Sequence, residues 1–289
     1  MFTRLAAAGL AALTAATLAV APDSGADASS RSRVCGTDRG RSPEAVGLTA
    51  DQRLVCFRAD KPRLARDIAT VSGLQMDTKL VGIDHRPANG VLYGVGDQAG
   101  IYTIDPATAV ATLAVRAGMP LSGTSFGVDF NPAADRLRIV SDTGQNLRIN
   151  VADGVVTPDG GLTYPPSTAP ALGVTGAMYT NNDADPDTVT TLFDVDATLD
   201  QVAIQSPPNN GSLVATGKLG VDTTPDVAAD IYSEVEDGTT VSNTAYAALS
   251  SPQGSSFYSV DLLTGEAGRT GDFSSRNRIV GVAFPQSQR

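Results

Sequence analysis

The stretch that decides the fold is 124-TSFGVDFNPAADRLRIVSDTGQNLRIN-150. Phe126, Val128 and Phe130 alternate with Gly127 and Asp129, the period-2 pattern of a strand with one buried face. Asn131-Pro132 ends it, because proline donates no hydrogen bond and restricts the residue before it. Leu137, Ile139 and Val140 predict a second strand, closed by the turn cluster Ser141-Asp142-Thr143-Gly144. Leu147 and Ile149 predict a third, closed by Ala152-Asp153-Gly154, after which the chain can return as a fourth. This is an antiparallel meander.

The same unit recurs. Gly82-Ile83-Asp84-His85-Arg86-Pro87 matches Gly127-Val128-Asp129-Phe130-Asn131-Pro132 at a spacing of 45 residues. Further units open at Gly176-Ala177-Met178-Tyr179 and at Ala228-Ala229-Asp230-Ile231, each followed by three strand patterns with turns between them. The fourth opening has a competitor in Ala245-Tyr246-Ala247. The chain ends on Val280-Gly281-Val282-Ala283-Phe284-Pro285, a first strand with nothing after it. The patterns at 46–48, 54–57 and 68–71 are three strands lacking a first one. If the last strand completes the first unit, there are five units of four strands each. A repeat of that length with four strands specifies an all-β β-propeller, whose radial closure leaves only short edges. Six blades follow instead if 217–245 hides a degenerate unit; a two-sheet sandwich explains neither the repeat nor the split ends.

Residues 1–28 read as a signal peptide: Arg4, then the uncharged run 5–20, then the small-x-small site Ala26-Asp27-Ala28. The run is shorter than the roughly 20 residues a spanning helix needs. Residues 29–44 read as an irregular lead-in and 45–289 as a single propeller domain. Removing Arg4, Asp23 and Asp27 from the 21 basic and 31 acidic residues of the full chain leaves a net charge of −9. That balance disfavours nucleic acid and anionic membranes. No later segment is apolar enough to span a bilayer. The expectation is a secreted monomer. In such a chain the two cysteines, Cys35 and Cys56, pair as a disulfide tying the lead-in to the strand at 54–57.

The run GTSFGVDFNPAADRLRIVSDTGQNLRIN (123–150), the later TNN (180–182) and QSPPNNGSLVATGKLGVD (205–222) resemble the bacterial exported family known as domain of unknown function 4394. The resemblance covers about 45–284. It implies no activity, cofactor or catalytic residue.

The residues themselves must then supply the chemistry. The first strand of each unit should line the central channel, with Asp84, Asp129, Met178, Asp230 and Val282 or Ala283 at its third position. Three carboxylates around one axis could hold Ca²⁺ or a hydrated sugar, since hard oxygen ligands suit calcium. Alternatively each accepts backbone hydrogen bonds at a strand crossing. His85, the chain's single histidine, stands next to Asp84 and invites a general-base reading, but no Gly-x-Ser-x-Gly elbow accompanies it. Asp142-Thr143-Gly144 copies an aspartic-protease triplet without the second copy that chemistry requires, and reads as a turn. Asp183, Asp185, Asp187 and Asp194 have the spacing of a calcium loop, yet Thr188 replaces its glycine and Pro186 interrupts it. Asn181-Asn182 follow a channel-lining strand and could face a ligand at one mouth. Tyr164, Tyr179, Tyr232 and Tyr246 could stack on sugars or pack between blades.

The expected function is an exported, non-catalytic binding or interaction module for an extracellular ligand or envelope partner. Its ligand-binding residues would be drawn from Asp84, His85, Asp129, Asn181, Asn182 and Asp230, with Ca²⁺ as the one cofactor considered, at Asp84, Asp129 and Asp230. The alternatives are a carbohydrate-active hydrolase using the channel carboxylates and a calcium-stabilised structural protein.

Overall fold

The computed structural model describes Cys35, residues 42–183, Asp185 and residues 187–288, with residues 287 and 288 described by backbone alone. Residues 1–28, read above as a signal peptide, and most of the lead-in lie outside the described residues. Twenty-one strands follow in chain order: β1 Glu44–Thr49, β2 Arg53–Arg58, β3 Arg66–Thr70, β4 Leu80–His85, β5 Leu92–Gly96, β6 Gly100–Ile104, β7 Ala111–Arg116, β8 Phe126–Asn131, β9 Arg136–Ser141, β10 Asn146–Ile149 and β11 Val156–Pro158. They continue as β12 Val174–Tyr179, β13 Leu192–Asp196, β14 Gln201–Gln205, β15 Leu213–Lys218, β16 Val227–Glu236, β17 Thr239–Ser251, β18 Gly254–Val260, β19 Ala267–Asp272, β20 Ile279–Ala283 and β21 Ser287–Gln288.

These strands form five antiparallel sheets, the blades of a propeller: β20-β1-β2-β3, β4 to β7, β8 to β11, β12 to β15 and β16 to β19. We number the blades 1 to 5 in that order. The C-terminal β20 pairs with β1, setting Val46 against Ala283 and Leu48 against Gly281, so the two ends of the domain share blade 1. The five-blade reading holds, and the six-blade and sandwich alternatives fall. Residues 217–245 contain the end of β15, a connection and a long hairpin. Ala245-Tyr246-Ala247 is not a first strand; it lies in β17, with Tyr246 opposite Asp230 of β16.

The innermost strands β20, β4, β8, β12 and β16 touch one another around the axis. Four of them, β4, β8, β12 and β20, share a leading glycine where β16 has Ala228, and the closest approaches show a steric cause. A Cβ on Gly82 would sit 2.4 Å from Val128 Cγ2, and one on Gly127 would sit 2.7 Å from the backbone of Gly176 and Ala177. Only glycine lets these strands approach so closely. Apolar residues on alternating strand positions fill the spaces between blades. Cys35 and Cys56 are disulfide-bonded with Cα atoms 5.5 Å apart, attaching the segment before β1 to β2.

Two features lie outside the sequence expectations. The β16–β17 hairpin extends well past the other blades and turns through Asp237 and Gly238, both at positive φ. Asp-Gly is the turn signal such a hairpin uses. Beyond β20, β21 adds to β16 in parallel, giving blade 5 a fifth strand.

Candidate functional site

Asp84, Asp129 and Asp230 occupy the same position of β4, β8 and β16, and their oxygens lie within 4.8 Å of one another. They are 5, 2 and 3% exposed. Each reaches sideways to the next blade. Asp84 Oδ2 accepts from the Phe130 N–H at 2.7 Å, Asp129 Oδ2 from the Tyr179 N–H, and Asp230 Oδ2 from the Phe284 N–H at 2.6 Å. Asp230 Oδ1 also accepts from its neighbour Ile231 N–H at 2.6 Å. These bonds tie blade 2 to 3, 3 to 4, and 5 to 1. Met178 and Ala283 fill the remaining two positions.

Three carboxyls at that distance cannot all ionise cheaply. Burial pushes Asp84 up to about 6, against the contrary pull of its hydrogen bonds to Asp129 and to the backbone. Asp129 is held well above the ordinary range, first by burial and then by the charges of Asp84 and Asp230. Burial and the charge of Asp84 raise Asp230 likewise. His85 points elsewhere in function: its Nδ1 lies 3.1 Å from the Gly90 carbonyl, and burial lowers it to about 4, so its ring is neutral.

Asn181 and Asn182 latch blade 4 to the β16–β17 hairpin. The Asn181 N–H and Oδ1 engage the Asn243 side chain, the latter at 2.7 Å, and Asn182 Nδ2 donates to the Ile231 carbonyl at 3.2 Å. Gln286 Nε2 donates to the Asn182 carbonyl at 2.7 Å, so the C-terminal segment covers the same end of the axis. Asp183 belongs to this latch, since its Oδ2 accepts from the Thr240 N–H at 2.9 Å. Asp194 does not join it. Within β13 it pairs across the sheet with Ala177 and Ala203, buried between blades. The four-aspartate calcium loop read from spacing is therefore not assembled among the described residues. Asp142-Thr143-Gly144 is a turn, with Asp142 accepting from Thr124 Oγ1 at 2.6 Å. The tyrosines pack or bond internally: Tyr246 stacks on Phe257 with ring centres 5.4 Å apart, Tyr232 meets Phe284 edge-on, and the Tyr164 hydroxyl donates to Asp196 at 2.9 Å.

The family-marking phrases meet between blades 3 and 4. Arg138, fully buried on β9, donates to Asn146 and Asp159 at 2.6 Å and to Tyr179 and Asn209 at 3.2 Å. Arg148 closes on Asp159 with two further bonds, and Asn146 Nδ2 donates to the carbonyls of Gly160 and Pro208. The Gln205 amide also donates to the Pro208 carbonyl. Thus RLRIV, QNLRIN and QSPPNNG are parts of one buried polar joint.

The accessible cavity of the axis lies at the other end, where the inner strands begin. It measures about 140 Å³ and its polar rim is Gln52, Lys79, Thr124, Ser125 and Asp226. Below Phe126, Val227 and Val280 it narrows to about 10 Å³, bounded by Thr175 and the inner-strand glycines. On the rim, Gln52 is committed to the backbone of Leu80 and Asp226 to Arg278 at 2.5 Å. The Lys79 ammonium and Ser125 hydroxyl have no such partner among the described residues. Sequence reasoning missed this rim, though its signal was simple: these residues precede the first strands or fill the blade 1 turn. A wider groove of about 460 Å³ lies off the axis beside Arg63, Tyr258, Arg269 and Asp272. There Arg269 and Ser256 are spent on Asp272.

The chain is similar to three solved structures over parts of its length. A structural genomics protein of unknown function from Bacteroides thetaiotaomicron VPI-5482 is 11% identical with TM-score 0.44, over 61% of this chain and 44% of that one. An auxiliary nutrient binding protein from the same organism is 13% identical with TM-score 0.46, over 82% and 63%. Another auxiliary nutrient binding protein, from Bacteroides ovatus ATCC 8483, is 14% identical with TM-score 0.38, over 75% and 56%. The chain thus spans less than two thirds of the length of each. No curated protein matches it. The family model described as domain of unknown function (DUF4394) matches residues 53–283, and the chain belongs to that family.

Proposed function

We propose that this chain is an exported, non-catalytic binding module that receives a small polar group of an extracellular ligand at the mouth where the inner strands begin. One observation carries the reading. At that mouth Lys79 and Ser125, whose ammonium and hydroxyl have no partner among the described residues, line an open cavity, whereas the three channel carboxylates are buried at the opposite end and bonded to backbone amides. A cation beside a hydroxyl suits a ligand carrying an oxygen acceptor or a carboxylate.

The same observation weighs against the hydrolase alternative. A glycosidase acid must touch the glycosidic oxygen, and its partner the anomeric carbon or a water. Asp84, Asp129 and Asp230 face each other instead. Export is supported by the apolar leader 1–28 and by the Cys35–Cys56 disulfide, a bond typical of oxidising compartments. Among the described residues no helix is long and apolar enough to cross a membrane.

Thermal-shift screening of residues 29–289 against small carboxylates, amino acids and sugars tests the proposal. The expected result is a compound that raises the melting temperature of the native chain and not of Lys79→Ala. A compound stabilising both equally would move the site away from this mouth.

A further inference from the structure

The blade 4 face that packs on blade 3 contains a carboxylate that no described residue satisfies. Asp194 is 0% exposed, and no hydrogen-bond donor among the described residues reaches either of its oxygens. Gln205 is 1% exposed, and its Oε1 is likewise unpartnered. Its amide orientation is fixed, because Nε2 donates to the Pro208 carbonyl. Asp194 sits opposite Ala203 on β14, and Gln205 follows Ala203 by two residues, so both side chains stand on one face within reach of each other. Ala177 and Ala203 flank Asp194 on its two neighbouring strands, leaving the space around the carboxylate to small side chains.

Charge points the same way. The titratable groups around this joint are Arg138 on β9, Arg148 on β10, Asp159 after β11, and Asp194 and Asp196 on β13, with the Tyr164 and Tyr179 hydroxyls between them. Two guanidiniums face three carboxylates. Arg138 spends its donors on Asn146, Asp159, Tyr179 and Asn209, and Arg148 closes on Asp159. Asp196 is satisfied by Tyr164 and by the N–H groups of Thr198 and Leu199. Burial raises Asp194 to about 8 against the pull of Arg138, and once ionised it is the one carboxylate here with no donor. A buried ion in that position is too costly to leave uncompensated.

We propose that the joint between blades 3 and 4 encloses a single monovalent hard cation, sodium or potassium, bound by Asp194 Oδ1 and Oδ2 and by Gln205 Oε1. Oxygen donors select a hard ion, and the residual charge of one selects a monovalent ion over a divalent one. The site is enclosed, so the ion enters as the blades close and its affinity adds to folding stability.

The test is the melting temperature of residues 29–289 in sodium, potassium and choline chloride at equal ionic strength and mildly alkaline pH. Choline is too large to enter. Sodium or potassium should raise the melting temperature by several degrees over choline in the native chain. The increment should vanish in Asp194→Asn, which removes the charge, and in Gln205→Leu, which removes a ligand and keeps the charge. Equal melting in all three salts, or an increment surviving both variants, overturns the proposal; in the first case Asp194 is satisfied by a proton. If neither variant folds, rubidium-soaked crystals of the native chain decide. An anomalous peak beside Asp194 supports the site, and its absence there overturns it.

Discussion

Blades 3 and 4 are joined by charge, blades 5 and 1 by aromatic rings. In the first joint Arg138, Asn146, Arg148, Asp159 and Asn209 form one hydrogen-bonded assembly under the blade 4 turn at 208–210. In the second, Phe57 meets Phe257 and Phe273 edge-on at 5.0 and 4.9 Å, and Tyr246 stacks on Phe257 and leans on Phe284. The second joint adjoins the seam within blade 1 where β20 pairs with β1. Apolar burial is non-directional and leaves no polar group to satisfy, which suits an interface whose two sides arrive from opposite ends of the chain. The polar joint demands fixed geometry and fixes the blade 3–4 register in return. One ring of equivalent interfaces thus uses two different physical devices.

The largest expected effect would break the polar joint. Arg138→Met leaves the Asn146 and Asn209 side-chain oxygens without this donor and Asp159 with Arg148 alone, and should cost about 3–5 kcal/mol in urea unfolding. Phe257→Leu in the aromatic joint should cost only about 1–2 kcal/mol, because apolar volume is largely kept. Equal losses would dissolve the contrast. Next comes the disulfide: Cys56→Ser with Cys35→Ser should remove about 3 kcal/mol by the loop-entropy argument for its separation of 21 residues.

A smaller effect sharpens the role of the axis. Asp84, Asp129 and Asp230 are raised in the fold, so their stabilising contribution is complete below pH ~4 and is lost as pH rises through the folded values, about 6 for Asp84. Melting temperature should fall by on the order of 5 °C between pH 5 and pH 8. Asp129→Asn keeps an acceptor for the Tyr179 N–H, removes one charge and should flatten that slope. A rise of stability over the same interval would mean the three carboxylates are neutralised by something other than protons, as the calcium reading requires. Smallest of all, Lys79→Ala on the rim should leave stability within about 0.5 kcal/mol and remove ligand binding.

Much of this architecture is legible in the sequence. The spacing of Gly82 and Gly127 phrases, and the orphan first strand at 280–285, specify five blades and the seam. Register alone brings Asp84, Asp129 and Asp230 together, because equivalent positions of inner strands must converge on one axis. Whether they face a ligand or each other depends on side-chain reach across blades, which no local pattern encodes. The blade 3–4 joint is illegible for a similar reason: Asn146 opens a strand and Asn209 lies in a turn, and nothing near either names Arg138 as their common partner. The long β16–β17 hairpin had a local signal in Asp237-Gly238 that alternation around Asp230 concealed.

The measurement that tests the functional account most directly is an array of extracellular glycans and peptides probed with residues 29–289, followed by chromatography of the captured ligand. The account predicts retention that Lys79→Glu abolishes, that Asp84→Asn leaves intact, and that releases no product. Cleavage of the ligand by the native chain, lost in Asp84→Asn, would contradict it and make the axial carboxylates a catalytic set.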